Sequence, residues 1–250
     1  MTSSKLMIRK WSLYTLSFSG YELTPQPIAT MDEVRPPNYS WHNYPYQEDV
    51  QNAYRRLASF VESEGPFDAV WGFSQGGAMA ALLLLMHQKS HPGDHNWPFK
   101  MAVFTSTFLP YRLDSGSITW DVTEKNQLQG LYQPGEFDAS GGKQDIDWTQ
   151  DARTMLDYHM IKRVQEQLDF PVRLLLKYRS QDVPAKLTLP SVHVRGVKDP
   201  YFFVDDAVSE LFDPETVSKM THRGGHHFPR FSDELVRFAE LIIETASTLT

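Results

Sequence analysis

Phe67-Asp68-Ala69-Val70-Trp71-Gly72-Phe73-Ser74-Gln75-Gly76-Gly77 runs directly into Ala78-Met79-Ala80-Ala81-Leu82-Leu83-Leu84, and this order of residue types decides the fold. Phe67 to Trp71 reads as a short buried strand, and Ala78 to Gln88 as an apolar helix. Between them Gly72-Phe73-Ser74-Gln75-Gly76 matches G-x-S-x-G, the tight strand-to-helix turn that lifts a serine into an exposed, strained position. A side chain at either flanking glycine, Gly72 or Gly76, is expected to collide with the adjoining strand or helix. The pattern is common by itself. The strand before it and the helix after it are what mark Ser74 as a candidate nucleophile.

Working outward, Glu48 to Glu64 places Val50, Tyr54, Leu57, Ala58 and Val61 at three- and four-residue steps, one apolar face of a helix ending near Gly65-Pro66. Further strands are expected at Trp11 to Phe18, Lys100 to Thr105, Pro190 to Val194 and Val217 to Thr221. Helices are expected near Val204 to Phe212 and from Asp233 to Thr245. Tyr21 to Tyr46, rich in proline, reads as an extended loop. Strands alternating with helices imply a mostly parallel sheet covered on both faces. The stretch 106–188 differs in character. It contains a polar, glycine-containing part from Trp120 to Trp148 and a helical rhythm from Asp151 to Leu168, so it is expected to be a lid inserted into one α/β domain spanning 1–250.

A serine needs a base, and the base needs an orienting acid. In this fold class the chain order is serine, acid, histidine, with acid and base on loops after later strands. Asp199 follows the strand at Pro190 to Val194 through Arg195-Gly196-Val197-Lys198, which makes it the candidate acid. Asp205 and Asp206 look instead like the first turn of a helix, where carboxylates favour the dipole. Three histidines compete for the base: His226 and His227 after the paired glycines Gly224-Gly225, and His222 at the strand end. The backbone N–H of Gln75 is a candidate oxyanion donor. Phe73, Phe108, Trp120, Tyr201 and Phe202 are candidates to line an acyl pocket, or ordinary packing at a sheet end.

Composition removes other classes. Lys plus Arg total 24 against 31 for Asp plus Glu, a net charge of -7, which argues against a nucleic-acid partner. With no cysteine there is no thiolate nucleophile or disulfide. His87, His91 and His95 are spaced by four, but Pro92-Gly93 breaks the helix between them, so no metal is expected, and serine chemistry calls for no cofactor. The acidic run Asp138 to Asp151 lacks the ordered oxygen ligands of a calcium loop and reads as a solvated segment. The longest apolar run, Ala78 to Met86, is half a membrane span, and the start lacks a signal-peptide core; a cytoplasmic protein without a membrane partner is expected.

On four segments the chain resembles the fungal "family of serine hydrolases" (FSH) group of α/β-hydrolases. They are Tyr39-Ser40-Trp41, Gly65 through Gly77, Leu189 through Pro200, and Gly224-Gly225-His226-His227-Phe228-Pro229. In that family the histidine directly after the paired glycines belongs to the triad, which selects His226. The resemblance implies an esterase or thioesterase, with a small-molecule or carrier-bound acyl substrate. Some members release a polyketide chain from a synthase's carrier domain in fungal secondary metabolism. It also exposes a departure: the usual opening strand and its Leu-His-Gly-type oxyanion loop have no counterpart here. Gly20, in the turn after Trp11 to Phe18, is the candidate replacement for the second oxyanion donor. That departure is also the feature that would fit a second class, an α/β-hydrolase-fold scaffold for binding or cyclisation without hydrolysis.

Overall fold

The computed structural model describes residues 40–42, 46–94, 96–114, 119–122, 172–199 and 207–249. The chain divides into two units, Met1–Ser40 and Trp41–Thr250, and the architecture below is that of the second. It is an α/β-hydrolase arrangement. Helix α1 (Gln47–Glu64) leads to β1 (Ala69–Phe73), α2 (Gln75–Ser90) and β2 (Met101–Thr105). After the insertion come β5 (Ser191–Gly196), β6 (Val217–His222) and α3 (Ser232–Ser247). The four strands lie in the order β1-β2-β5-β6, every pair parallel. Parallel strands put the loops that follow them on one edge of the sheet, the edge where α/β proteins bind ligands.

Period-2 alternation divides the strand side chains between two faces. Met101, Val103, Val192 and Val194 pack with Phe238 and Leu241 of α3 on one face. On the other, Phe104 meets His193 (ring centroids 4.9 Å apart) and Phe212 (5.4 Å). Residues 207–209 are helical, within the helix expected at Val204 to Phe212. Helix α2 has almost no amphipathic bias because it is enclosed: every residue from Gly77 to Leu85 is buried, with α1 packed against it. That explains a sequence apolar all round. The buried stripe of α1 is Val50, Ala53 and Leu57, while Tyr54, Ala58 and Val61 are only half-buried, so the face is rotated from the expected one.

Strand β1 also differs from the expected Phe67 to Trp71. It begins at Ala69 and ends at Phe73. Asp68 is held at the surface by Lys100 (2.6 Å), and the ring of Phe67 turns away to pack between Phe60 (5.7 Å) and Phe99 (6.2 Å). The strand therefore runs up to the residue before Ser74, and α2 starts immediately after it.

Of the insertion 106–188, the two ends are described, and they run against each other. Strand β3 (Thr119–Val122) pairs antiparallel with β4 (Val172–Leu175). Tyr111 and Lys177 form an antiparallel bridge continued by Arg112 N–H to Leu176 C=O (2.8 Å) and Tyr178 N–H to Pro110 C=O (2.9 Å). Arg112 joins the stem by ion pairs to Asp114 (3.3 Å) and Asp182 (3.5 Å). The helix expected at Asp151 to Leu168, the acidic run Asp138 to Asp151 and the strand expected at Trp11 to Phe18 lie outside the described residues. No helix among the described residues is long and apolar enough to cross a membrane.

Candidate active site

Ser74 sits at φ 51°, ψ −122°, left-handed backbone that a non-glycine residue rarely adopts. The sequence forces it there. A β-carbon on Gly72 would lie 2.3 Å from Cα of Gly77, and one on Gly77 would lie 2.1 Å from Thr107 Oγ1, so strand and helix approach more closely than side chains allow. Gly76 is different from what the motif suggests: a β-carbon there meets only Trp41 Nε1, at 3.5 Å, an ordinary contact. The steric requirement falls on Gly72 and Gly77. The turn is tied to β2 by Ser74 N–H donating to Thr105 C=O (3.0 Å).

Three loops converge on Ser74 from the same sheet edge. His226 Nε2 lies 3.0 Å from Ser74 Oγ, and His226 Nδ1 lies 2.8 Å from Asp199 Oδ2. The Asp199 side chain is fully buried, and that of His226 is 9 % exposed. A buried carboxylate accepting from Nδ1–H leaves Nε2 as an acceptor for the seryl hydroxyl. The loops of Asp199 and His226 are joined by Val197 N–H to His222 C=O (2.9 Å) and Lys198 N–H to Gly224 C=O (2.9 Å). Their approach depends on Gly196, whose β-carbon would lie 2.3 Å from Gly225 O.

The competing histidines have other work. His227 Nδ1 donates to Phe228 C=O (2.6 Å), and its Nε2 accepts from Gly225 N–H (3.2 Å). His222 is buried, and its Nδ1 accepts from Gly224 N–H (3.1 Å). Burial, and then the charge of His227, hold the His222 imidazole below its ordinary pKa. Both rings thus brace the glycine loop that carries His226. Farther away, the rings of His87 and His91 stack at 4.6 Å, and His87 Nε2 is engaged by Asn96 C=O (3.1 Å); His95 lies outside the described residues.

Gln75 occupies the first position of α2, where the backbone N–H has no intrahelical partner. Its side chain clamps the segment before α1: Trp41 N–H donates to Oε1 (2.7 Å), and Nε2 donates to His42 C=O (2.8 Å). Phe73 and Phe108 both flank the imidazole, Phe73 tilted at 5.1 Å and Phe108 stacked at 5.6 Å. Gly20, Tyr201, Phe202, Asp205 and Asp206 lie outside the described residues, as does the side chain of Trp120. The sequence reading missed His42, whose carbonyl holds the Gln75 side chain beside Ser74.

With that geometry in place, the comparisons decide the family. The family model described as "Serine hydrolase (FSH1)" matches residues 20–238. The chain belongs to the FSH1 serine hydrolase family. It is 59 % identical over 236 residues to "Hydrolase FUB4" of Fusarium oxysporum f. sp. lycopersici, covering 94 % of this chain and 88 % of that one. It is 58 % identical, with the same coverage, to "Hydrolase FUB4" of Gibberella moniliformis. A more distant relative, "Esterase alnB" of Emericella nidulans, is 26 % identical over 206 residues, covering 75 % of this chain and 69 % of that protein. Within this FSH1 chain the residues matching the motif are the ones the fold assembles: Ser74, Asp199 and His226.

Proposed function

We propose that this FSH1 protein hydrolyses an acyl ester or thioester through an acyl-enzyme on Ser74. The observation that carries the reading is the relay Ser74 Oγ, His226 Nε2 at 3.0 Å, His226 Nδ1, Asp199 Oδ2 at 2.8 Å, mounted on a serine with positive φ. His226 takes the hydroxyl proton as Ser74 Oγ attacks the carbonyl carbon. Asp199 holds the ring orientation and stabilises the imidazolium. The Gln75 amide donates to the oxygen of the tetrahedral intermediate. His226 returns the proton to the departing alcohol or thiol, then activates the water that releases the acid.

The proposed substrate is a thioester, a polyketide chain on a synthase's carrier domain. Family membership and the sequence resemblance support it, and the acyl-transfer geometry serves oxygen and sulfur leaving groups alike. The test is a matched set of one acyl group presented as a p-nitrophenyl ester, an N-acetylcysteamine thioester and a carrier-domain thioester. Turnover of the thioesters that vanishes in Ser74→Ala supports the full reading. Turnover of the oxygen ester alone restricts the protein to esters. A folded protein that turns over none of them is a scaffold.

A further inference from the structure

Gln75 brings two sets of polar atoms to the turn. Its backbone N–H is the oxyanion donor of the reaction above, and its side chain is bound at both ends by a segment that lies before α1. Trp41 N–H donates to Oε1 at 2.7 Å, Nε2 donates to the His42 carbonyl at 2.8 Å, and His42 Nδ1 lies 3.5 Å from the same nitrogen. The two short bonds go to backbone atoms, so they do not depend on which side chains residues 41 and 42 carry. They depend on residue 75. A carboxamide offers a donor and an acceptor from one neutral group, whereas a carboxylate lacks the donor and an apolar chain lacks both.

The segment held in this way is itself fixed. His42 is 2 % exposed, and its ring meets Tyr111 edge-on at 5.5 Å. Tyr111 is bridged to Lys177 where the two ends of the insertion run together. Trp41 Nε1 comes within 3.5 Å of the position a β-carbon on Gly76 would take, so the segment lies along the first turn of α2. The Gln75 side chain is therefore fastened to a buried anchor.

That anchor bears on the direction of the oxyanion donor. Ser74 C=O accepts from Gly77 N–H (3.1 Å) and Ala78 N–H (3.2 Å). In a planar trans peptide the Gln75 N–H points the opposite way, out of the helix. On the strand side this peptide is held by the bond from Ser74 N–H to Thr105 C=O (3.0 Å). On the helix side it meets Gln75, the first residue of α2, and helix ends are where fraying begins. The clamp on the side chain holds the Gln75 Cα, and with it the tilt of the peptide plane.

Resting on the hydrolase reading above, we propose that the Gln75 side chain is a positioning residue: by clamping Trp41 and His42 it aims the Gln75 backbone N–H at the oxygen of the tetrahedral intermediate. Losing an oxyanion donor outright costs about 10²- to 10³-fold in turnover, and a donor that is kept but misaimed should cost less, about tenfold.

The test uses Gln75→Met and Gln75→Asn, both of which keep the backbone N–H. It compares kcat and KM for p-nitrophenyl butyrate with the inhibition constants of an alkyl trifluoromethyl ketone and of the matching carbinol. The ketone adds Ser74 Oγ and becomes an oxyanion, as the transition state does, whereas the carbinol has the same shape and forms none. Gln75→Met is expected to lower kcat about tenfold with KM little changed, and to weaken the ketone by the same factor while leaving the carbinol unaffected. Gln75→Asn, with the carboxamide on a shorter arm, is expected to fall between native and Gln75→Met, and it carries the comparison if Gln75→Met does not fold. Unchanged kcat and ketone affinity in the folded variants overturn the proposal. So does an equal loss of ketone and carbinol affinity, which marks a packing role. A native protein that neither turns over the ester nor prefers the ketone to the carbinol sinks the hydrolase reading and the proposal with it. A native protein that does both, matched by Gln75→Met, sinks the proposal alone.

Discussion

His226 and His227 are adjacent, share a loop and differ completely in what their rings touch. His226 reaches Ser74 and Asp199, whereas both nitrogens of His227 are engaged by Phe228 C=O and Gly225 N–H. His226→Ala is expected to lower kcat for an activated ester by a factor on the order of 10⁴ to 10⁶. His227→Ala removes loop hydrogen bonds worth about 1 kcal/mol each and should show mainly as a lower unfolding midpoint, with most activity kept. Steady-state kinetics and thermal melts on the two variants check both halves. The reverse ranking would mean that the imidazole facing Ser74 has been misassigned. At this scale the sequence was legible for Ser74 and Asp199 from their positions after strands, but not for the histidine. Three candidates stood in six residues, and only the family pattern, then the ring contacts, separated them.

At the scale of elements, the junction of β1 and α2 makes a sharper statement than the motif that announces it. G-x-S-x-G names Gly72 and Gly76, but the close approach is between Gly72 and Gly77, with Thr107 against the latter. Gly72→Ala pits a β-carbon against backbone and is expected to be the most destabilising of three alanine variants. Gly77→Ala should cost about 1–3 kcal/mol, as overpacking does, and part of that should return in the double variant with Thr107→Ala. Gly76→Ala should be neutral or stabilising by up to about 1 kcal/mol, since alanine is the better helix former. Chemical denaturation of the four proteins gives the ranking, and a Gly76→Ala cost as large as that of Gly72→Ala would contradict it. The helices and the parallel strands were legible because their apolar spacing is local. The ends of β1 were not, because whether Phe67 continues a strand or turns into the Phe60–Phe99 corner depends on residues distant in sequence. Strand β4 escaped notice for the same reason: its partner β3 lies some fifty residues earlier.

For the whole molecule, folding buries neutral and charged groups whose titration sets the acid limit of stability. Burial, followed by the nearby charge of Lys219, pushes His193 down to about 3, so it stays neutral between Phe104 and Phe212 while the unfolded chain protonates near 6.5. The unfolded state then binds more protons, and stability falls as the pH drops from about 6.5 toward 3. Burial raises Asp182, but hydrogen bonds and charge from Arg179 and charge from Arg112 outweigh it and hold this carboxyl below its ordinary 3.8. Its contribution is present above that value and is lost as the pH falls through the folded one. Urea midpoints between pH 7.5 and 4 should therefore decline for the native protein and decline less for His193→Gln, which keeps a hydrogen-bonding group near Ser191 without the titration. Equal slopes would place the acid sensitivity elsewhere.

An activated serine built by three loops at one sheet edge is read out by reaction with a fluorophosphonate followed by mass spectrometry of the intact chain. Phosphonylation needs the Ser74 hydroxyl and the His226 base, and it needs no knowledge of the natural acyl group. One adduct per chain is expected, mapped to Ser74, absent from Ser74→Ala and strongly slowed in His226→Ala and Asp199→Ala. A folded native protein that takes up no probe, or an adduct that persists in Ser74→Ala, would contradict it.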